Sequence, residues 1–415
     1  MIEYVKPWRI DMINKNIIIV TNLHLWSLDS GKGGKAFYHT VNGYLKYGWN
    51  VWIITSGGGI PIDLKKRIHV IETSFIRLDG LINSSVRILS VFAKFWKTRM
   101  MTAFFESKAR QVISQNSGER FVIYGYEVEG VKAAKKVSKK YKMPLVTRFQ
   151  GTVLANIENT LFNRMRKRPH FSALSTDADI CYMTNDGTQG LEVLHRLGNQ
   201  SKKIFFWRNG VDKIEINKKS KRSEIRSKEN LKDEFVFITV SRLVGWKRVN
   251  LAIEGFSKVL NQYPKSKLII IGDGPELRKL IDLSQKLGIS DKIVFLGAIE
   301  QQQVKNYLVA TDAFLSFYDL SNLGNPIMEA MMTGMPIITI DVGATKELVV
   351  DGYNGILIPN DELYKIPEMM SLVIKDKSYA KELANGAMKT AKKEFWSWES
   401  RIKAEVLETT ILLNL

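Results

Sequence analysis

The chain has 415 residues, 45% of them hydrophobic and 25% charged, with a formal net charge of +19. That length exceeds what a single hydrophobic core usually serves, so two domains of roughly 200 residues are expected. No apolar run approaches the roughly 18 residues of a membrane span, the N-terminal stretch has no apolar signal region, and the single Cys181 has no internal disulfide partner. The expectation is a cytoplasmic chain, peripheral at the inner face of the membrane if it meets one.

The charge is placed on one side. Residues 1–210 carry 32 Lys and Arg against 15 Asp and Glu, a net +17, whereas the remainder is nearly balanced at +2. Such a field suits an anionic partner: a membrane surface, a phosphorylated acceptor or nucleic acid. A lysine-rich, solvated surface would look the same in sequence.

In chain order, Ile17–Thr21, Val51–Thr55, Ile68–Glu72, Phe121–Tyr124, Leu145–Phe149, Ile180–Met183 and Ile204–Trp207 read as strands. Their apolar runs are continuous rather than alternating, the pattern of parallel strands covered by helices on both faces. Between the third and fourth lies Leu81–Ile113, where Trp96, Met100, Met101, Phe104 and Phe105 mix with Lys94, Lys97, Arg99, Lys108 and Arg110. This segment predicts a long basic helix or helix pair that could lie in an anionic membrane interface, or a core helix with solvated cations.

The stretch from Asn209 to Glu234 is polar with few apolar anchors and reads as a linker or exposed loop, placing a domain boundary at Asp212. Residues 1–212 would form one domain and 213–395 the other. In the second half Phe235–Ser241, Leu268–Ile271, Ile293–Leu296, Ala313–Phe317, Ile337–Ile340 and Ile356–Ile358 read as strands, separated by helices such as that carrying Val249, Ile253, Phe256 and Leu260 at core spacing. Each half is thus an open, doubly wound α/β unit.

Three strand ends in the second half carry candidate chemistry. Arg242 and Lys247, in Ser241-Arg242-Leu243-Val244-Gly245-Trp246-Lys247, would flank a phosphate where open α/β sheets bind ligands. A rigid fork beside a mobile ammonium suits a diphosphate gaining charge, though two surface cations would give the same pattern. Gly272-Asp273-Gly274-Pro275 permits a tight turn with close backbone approach, as would any strand-to-helix turn. Gly324-Asn325-Pro326 would open a helix with outward amides, and Glu329 on an otherwise apolar helix needs a partner such as the two hydroxyls of a ribose. A helix-start acid set by the macrodipole is the plainer alternative.

The segments "VSRLVGWKRVNLAIEGF", "LIIIGDGPELRKLI", "KIVFLGAI" and "NPIMEAMMTGMPIITIDVGATKELVVDGYNGILI" resemble, in order and spacing, the nucleotide-binding half of GT-B glycosyltransferases, specifically the retaining enzymes of glycosyltransferase family 4. The resemblance is good from about Asn209 to Ile358 and holds only in outline before it. It implies two Rossmann-like domains facing across a cleft, with a C-terminal helix at 396–415 crossing back to the first domain. It implies diphosphate binding by Arg242 and Lys247, ribose binding by Glu329, and donor contacts at Ser321, Asn322, Leu323, Gly324, Asn325, Gly272 and Ile299. Gly33 and Gly34 match the loop closing over the donor.

Two positions depart from the family pattern. The first acid of its Glu-x7-Glu motif falls on Ser321, with Asp319 a nearby substitute, and an acceptor-side His falls on Gln150. The implied activity is transfer of a hexose or pentose from a nucleotide-sugar donor to a lipid-linked or oligosaccharide acceptor, with no cofactor and no metal. A non-catalytic relative serving as a partner subunit is the alternative. Nucleic acid binding lacks any recognisable module, and no nucleic acid partner is expected.

Overall fold

The computed structural model describes residues 14–28, 35–72, 87–212 and 217–413. Gly33 and Gly34 lie outside them. Two parallel sheets form, one of seven strands and one of six. The first runs β1 (Asn16–Val20), β2 (Asn50–Thr55), β3 (His69–Glu72), β4 (Phe121–Tyr126), β5 (Leu145–Phe149), β6 (Ile180–Thr184) and β7 (Lys203–Trp207), in spatial order β3-β2-β1-β4-β5-β6-β7. The second runs β8 (Phe235–Val240), β9 (Ser266–Ile271), β10 (Ile293–Gly297), β11 (Ala313–Ser316), β12 (Ile337–Asp341) and β13 (Ile356–Pro359), in order β10-β9-β8-β11-β12-β13.

These are the strands expected from the apolar runs, with ends shifted by one or two residues. The reason they could be read is their burial: β1, β4, β5 and β6 are buried at every residue, so neither face needs a polar alternation. In each sheet the strand order reverses between two neighbours, β1 and β4 in one and β8 and β11 in the other. Crevices open at such switch points, outside the carboxyl ends of the strands. Here the two crevices face each other, making the two-domain GT-B architecture.

Two expectations need correction. The supposed linker contains a helix, Lys218–Lys228, whose cap Asn217 accepts from the Ser220 amide. Buried Ile225 anchors it, while Arg222 and Arg226 reach Asp312 and the carbonyls of Val309, Ala310 and Thr311. Cation-to-carbonyl pairing, rather than an apolar stripe, holds this helix, so hydrophobic periodicity could not reveal it.

The Leu81–Ile113 segment is described from Arg87 onward as one helix, Arg87–Gln115; residues 81–86 and the side chains of 87–95 lie outside the described set. Its Met101, Phe105, Ala109, Val112 and Ile113 are buried against Ile18, Val20, Ile54 and Phe121 of the first sheet. From Met101 on, the apolar content serves the core. Trp96 and Met100 remain exposed.

The last helix, Trp398–Ile411, crosses back to the first sheet. Trp398, Ile402, Val406 and Leu413 join a core with Ile17, Phe37, Val41, Tyr44 and Tyr124. Gly43 allows the contact, since a Cβ there would stand 1.9 Å from Ile402 Cγ2. Its polar residues go inward as well: Glu405, fully buried, accepts from Arg148 and from Arg401 at 2.8 Å and Tyr124 at 2.7 Å. The outgoing and returning crossings touch, with Val211 N donating to Trp396 O at 3.0 Å and Gly210 packed on the Trp398 backbone.

Candidate active site

The carboxyl end of β8 turns through Ser241 to Lys247 before the helix Val249–Val259. The turn is built by glycine on its neighbour. A Cβ on Gly272 (φ +137°), at the end of β9, would lie 1.7 Å from Ser241 O, so only glycine lets the two strand ends approach. Lys247 rests its ammonium between Trp246 and Tyr318, 4.0 and 3.4 Å from the ring centroids. Burial, and then the charge of Arg242, push it down to about 7, against the opposing pull of Asp186 and Asp319. Arg242 is exposed and forms no ion pair among the described residues. The sequence-predicted pair therefore stands together at one strand end, one member sunk and one free.

The first sheet contributes Asp186, beyond the end of β6. Its Oδ1 accepts from Thr188 Oγ1 at 2.6 Å and Thr188 N at 3.1 Å, and its Oδ2 packs against Gly151. Burial raises this carboxyl to about 6. At the end of β4, Glu127 holds a left-handed backbone (φ +62°) and accepts from Gln150 N at 2.8 Å through Oε1; burial raises it to about 7. A non-glycine residue in that conformation is strained, and such strain collects at functional sites. Gln150 places its amide 2.9 Å from Tyr126 Oη and 3.3 Å from the Asn209 amide, which reaches Asn325 Oδ1 at 3.4 Å. Asn209 thus stands between Gln150 of the first domain and the helix Asn325–Thr333 of the second.

That helix opens on Gly324 with Pro in its first turn and no side-chain cap, as the Gly-Asn-Pro turn predicts. Ser321, Asn322 and Leu323 before it are buried. Asn322 is occupied within its own loop, accepting from Ser316 Oγ at 2.7 Å and Tyr318 N at 3.1 Å. Leu323 joins the core, and Ile299 packs against the same core in part. Ser321 donates from Oγ to the Asp186 carbonyl at 2.5 Å, across the cleft, and Gly187 leaves room for it. The position where the family carries an acid is here an interdomain contact. Asp319 lies 3.7 Å from Arg248 through Oδ2, its Oδ1 buried without a partner.

Glu329 is 3% exposed and does not lack partners. Gln301 donates to both its oxygens at 3.1 and 2.9 Å, and Lys35, 9% exposed, donates to Oε1 at 2.6 Å. Lys35 opens the helix Lys35–Lys46 of the first domain, and it also meets Asp212 at 3.3 Å, itself paired with Lys305 at 3.2 Å. His39, one turn on, stacks on Trp398 and is pushed down to about 4, first by burial and then by Lys35 and Lys305 against Asp212. Sequence reasoning missed Lys35, Asp212, Gln301, Asp186 and Glu127. For Lys35 a signal existed, its place directly after Gly33-Gly34; the Asp186-Gly187 pair reads only as a turn.

Residues 221–390 match the family described as glycosyl transferases group 1. The match covers less than half of the chain, and the whole chain has the GT-B fold. The GT-B chain is 29% identical over 259 residues to the alpha-monoglucosyldiacylglycerol synthase of Acholeplasma laidlawii, 59% of this chain and 63% of that protein. It is 27% identical over 164 residues to the N-acetyl-alpha-D-glucosaminyl L-malate synthase of Bacillus anthracis, 40% of this chain and 42% of the relative. These matches span less than two thirds of either relative. The crystal structure of HepE from Anabaena in complex with UDP and glucose superposes with a TM-score of 0.70 at 19% identity, covering 95% of this chain and 98% of that one.

Proposed function

We propose that the protein is a retaining glycosyltransferase moving a sugar from a nucleotide-sugar donor to a lipid-linked or saccharide acceptor in glycoconjugate synthesis, without a metal. The observation that carries this reading is Lys247 with Arg242 at the end of β8, facing Asp186 of the opposite domain in the cleft. As the glycosidic bond breaks, negative charge grows on the leaving diphosphate, and two preplaced cations with the uncapped helix at Gly324 meet it there. The acceptor's proton can pass to that leaving phosphate. Asp186 has Oδ1 held by Thr188 and Oδ2 packed on Gly151, an arrangement that suits a wall better than a nucleophile.

Glu329 would bind the ribose diol in exchange for Lys35 and Gln301. The solved relative with UDP and glucose and the diacylglycerol-named relative support a nucleotide-sugar donor and a lipid acceptor, respectively. The domain boundary at Asp212 is part of the same reading, since the chain crosses between the sheets there.

The test is nucleotide release from a panel of UDP, GDP, dTDP and ADP sugars with a membrane lipid extract as acceptor. One donor should react, and Lys247→Ala or Glu329→Ala should lower the rate by roughly 10²-fold or more. Release that survives both substitutions would remove the proposed site. Binding of nucleotide with no turnover for any donor or acceptor would favour the non-catalytic alternative, in which Ser321 serves only to join the domains.

A further inference from the structure

The loop after β5 leaves the cleft at Gln150 and rises into a short helix, Leu161–Arg166, which buries none of its residues. Leu161, Phe162 and Met165 are 76%, 71% and 72% exposed. Leu161 and Phe162 stand four and three residues before Met165, so both neighbour it on one side of the helix. Around them stand Arg164, Arg166 and Arg168, all exposed. The next helix, Arg168–Leu174, is anchored by Phe171, Ala173 and Leu174, so the apolar trio is held outward on a fixed base.

Further cations stand near Arg168, whose charge, after burial and with those of Lys136 and Arg99, pushes the Lys132 ammonium down. Met100, one residue from Arg99, is 47% exposed. Three large apolar side chains projecting from a cationic surface are poorly matched to water or to a polyanion, which would leave the apolar face unused. They match the boundary of an anionic bilayer, where apolar side chains enter the acyl region and Arg extends its head group to phosphate.

We infer that Leu161, Phe162 and Met165, ringed by Arg164, Arg166 and Arg168, insert into an anionic lipid surface and set the acceptor side of the cleft against it. The inference rests on the lipid-linked acceptor proposed above and moves the membrane contact from the helix Arg87–Gln115, whose described apolar residues serve largely as core, to the loop after β5. Gln150 and Leu161 belong to one connection after β5, so insertion of this face would bring an acceptor head group at the bilayer surface toward the acceptor side of the cleft.

The test uses the full chain with vesicles of phosphatidylcholine alone or mixed with phosphatidylglycerol. Wild type should co-sediment with the mixed vesicles, and Leu161→Ser/Phe162→Ser/Met165→Ser should weaken that binding by about tenfold or more. Nucleotide binding by calorimetry should stay unchanged, showing that the variant is folded. Replacing Arg164, Arg166 and Arg168 by Ser should remove the preference for anionic lipid. Undiminished vesicle binding by the apolar variant overturns the inference and leaves the transferase reading intact, as does wild-type self-association through this face, seen by light scattering and lost in the variant. Transfer to water-soluble acceptors alone, with no vesicle binding by wild type, overturns the inference and the lipid-linked acceptor together.

Discussion

Lys247 sits where an ammonium is easily discharged: packed between two aromatic rings, beside Arg242, with its ordinary value lowered to about 7. A bound diphosphate favours the charged form, so above pH 7 nucleotide binding should draw a proton from solution. Calorimetry at pH 8 in two buffers of different ionisation enthalpy should show that uptake in wild type and none in Lys247→Arg, which stays charged throughout. Affinity in wild type should fall as pH rises through 7, and equal heats in both buffers would contradict the assignment. The cation pair was legible because both members lie within one strand-end turn. Ser321 was legible only as a departure from the family pattern. Its partner, the Asp186 carbonyl, is 135 residues away, and no local pattern connects them.

At the scale of elements, the helix Trp398–Ile411 combines apolar packing with a buried charge cluster, and the two fail differently. Glu405→Leu leaves Arg148 and Arg401 buried without their carboxylate, and should cost about 3–5 kcal/mol in urea unfolding. Gly43→Ala forces a methyl into Ile402 and should cost about 1–3 kcal/mol by lifting the helix. If either substitution left the unfolding midpoint where it is in wild type, that contact would not be holding the helix. The crossing of this helix was an expectation only through the family resemblance. Its inward Arg401 and Glu405 were not expected, because charged residues on a terminal helix ordinarily face water. The helix Lys218–Lys228 escaped notice for the related reason that arginine-to-carbonyl bonds anchor it.

For the whole molecule, the two domains are tied across the cleft by Lys35 to Glu329 and by Lys305 to Asp212, which Lys35 also meets. Removing the shared cation in Lys35→Met leaves Glu329 with Gln301 alone. The cleft should then open, and small-angle scattering without nucleotide should give a larger radius of gyration than wild type. An unchanged radius would mean that the other ties, Ser321 to the Asp186 carbonyl, Lys305 to Asp212 and the crossings at Gly210 and Trp396, hold the domains without Lys35.

The returning helix also orders events during synthesis. The strands of the first sheet leave the ribosome first, but the only carboxylate that Arg148 pairs with among the described residues arrives 257 residues later, and the partners of Tyr124 and Tyr44 arrive 281 and 365 residues after them. At roughly 5–20 residues per second the first domain therefore waits tens of seconds with an apolar face open and a buried-type arginine uncompensated. The second domain can close on its own sheet meanwhile. Nascent chains of this protein should thus depend on a holdase until their last turn of helix is released, and the domain translated first is the one completed last.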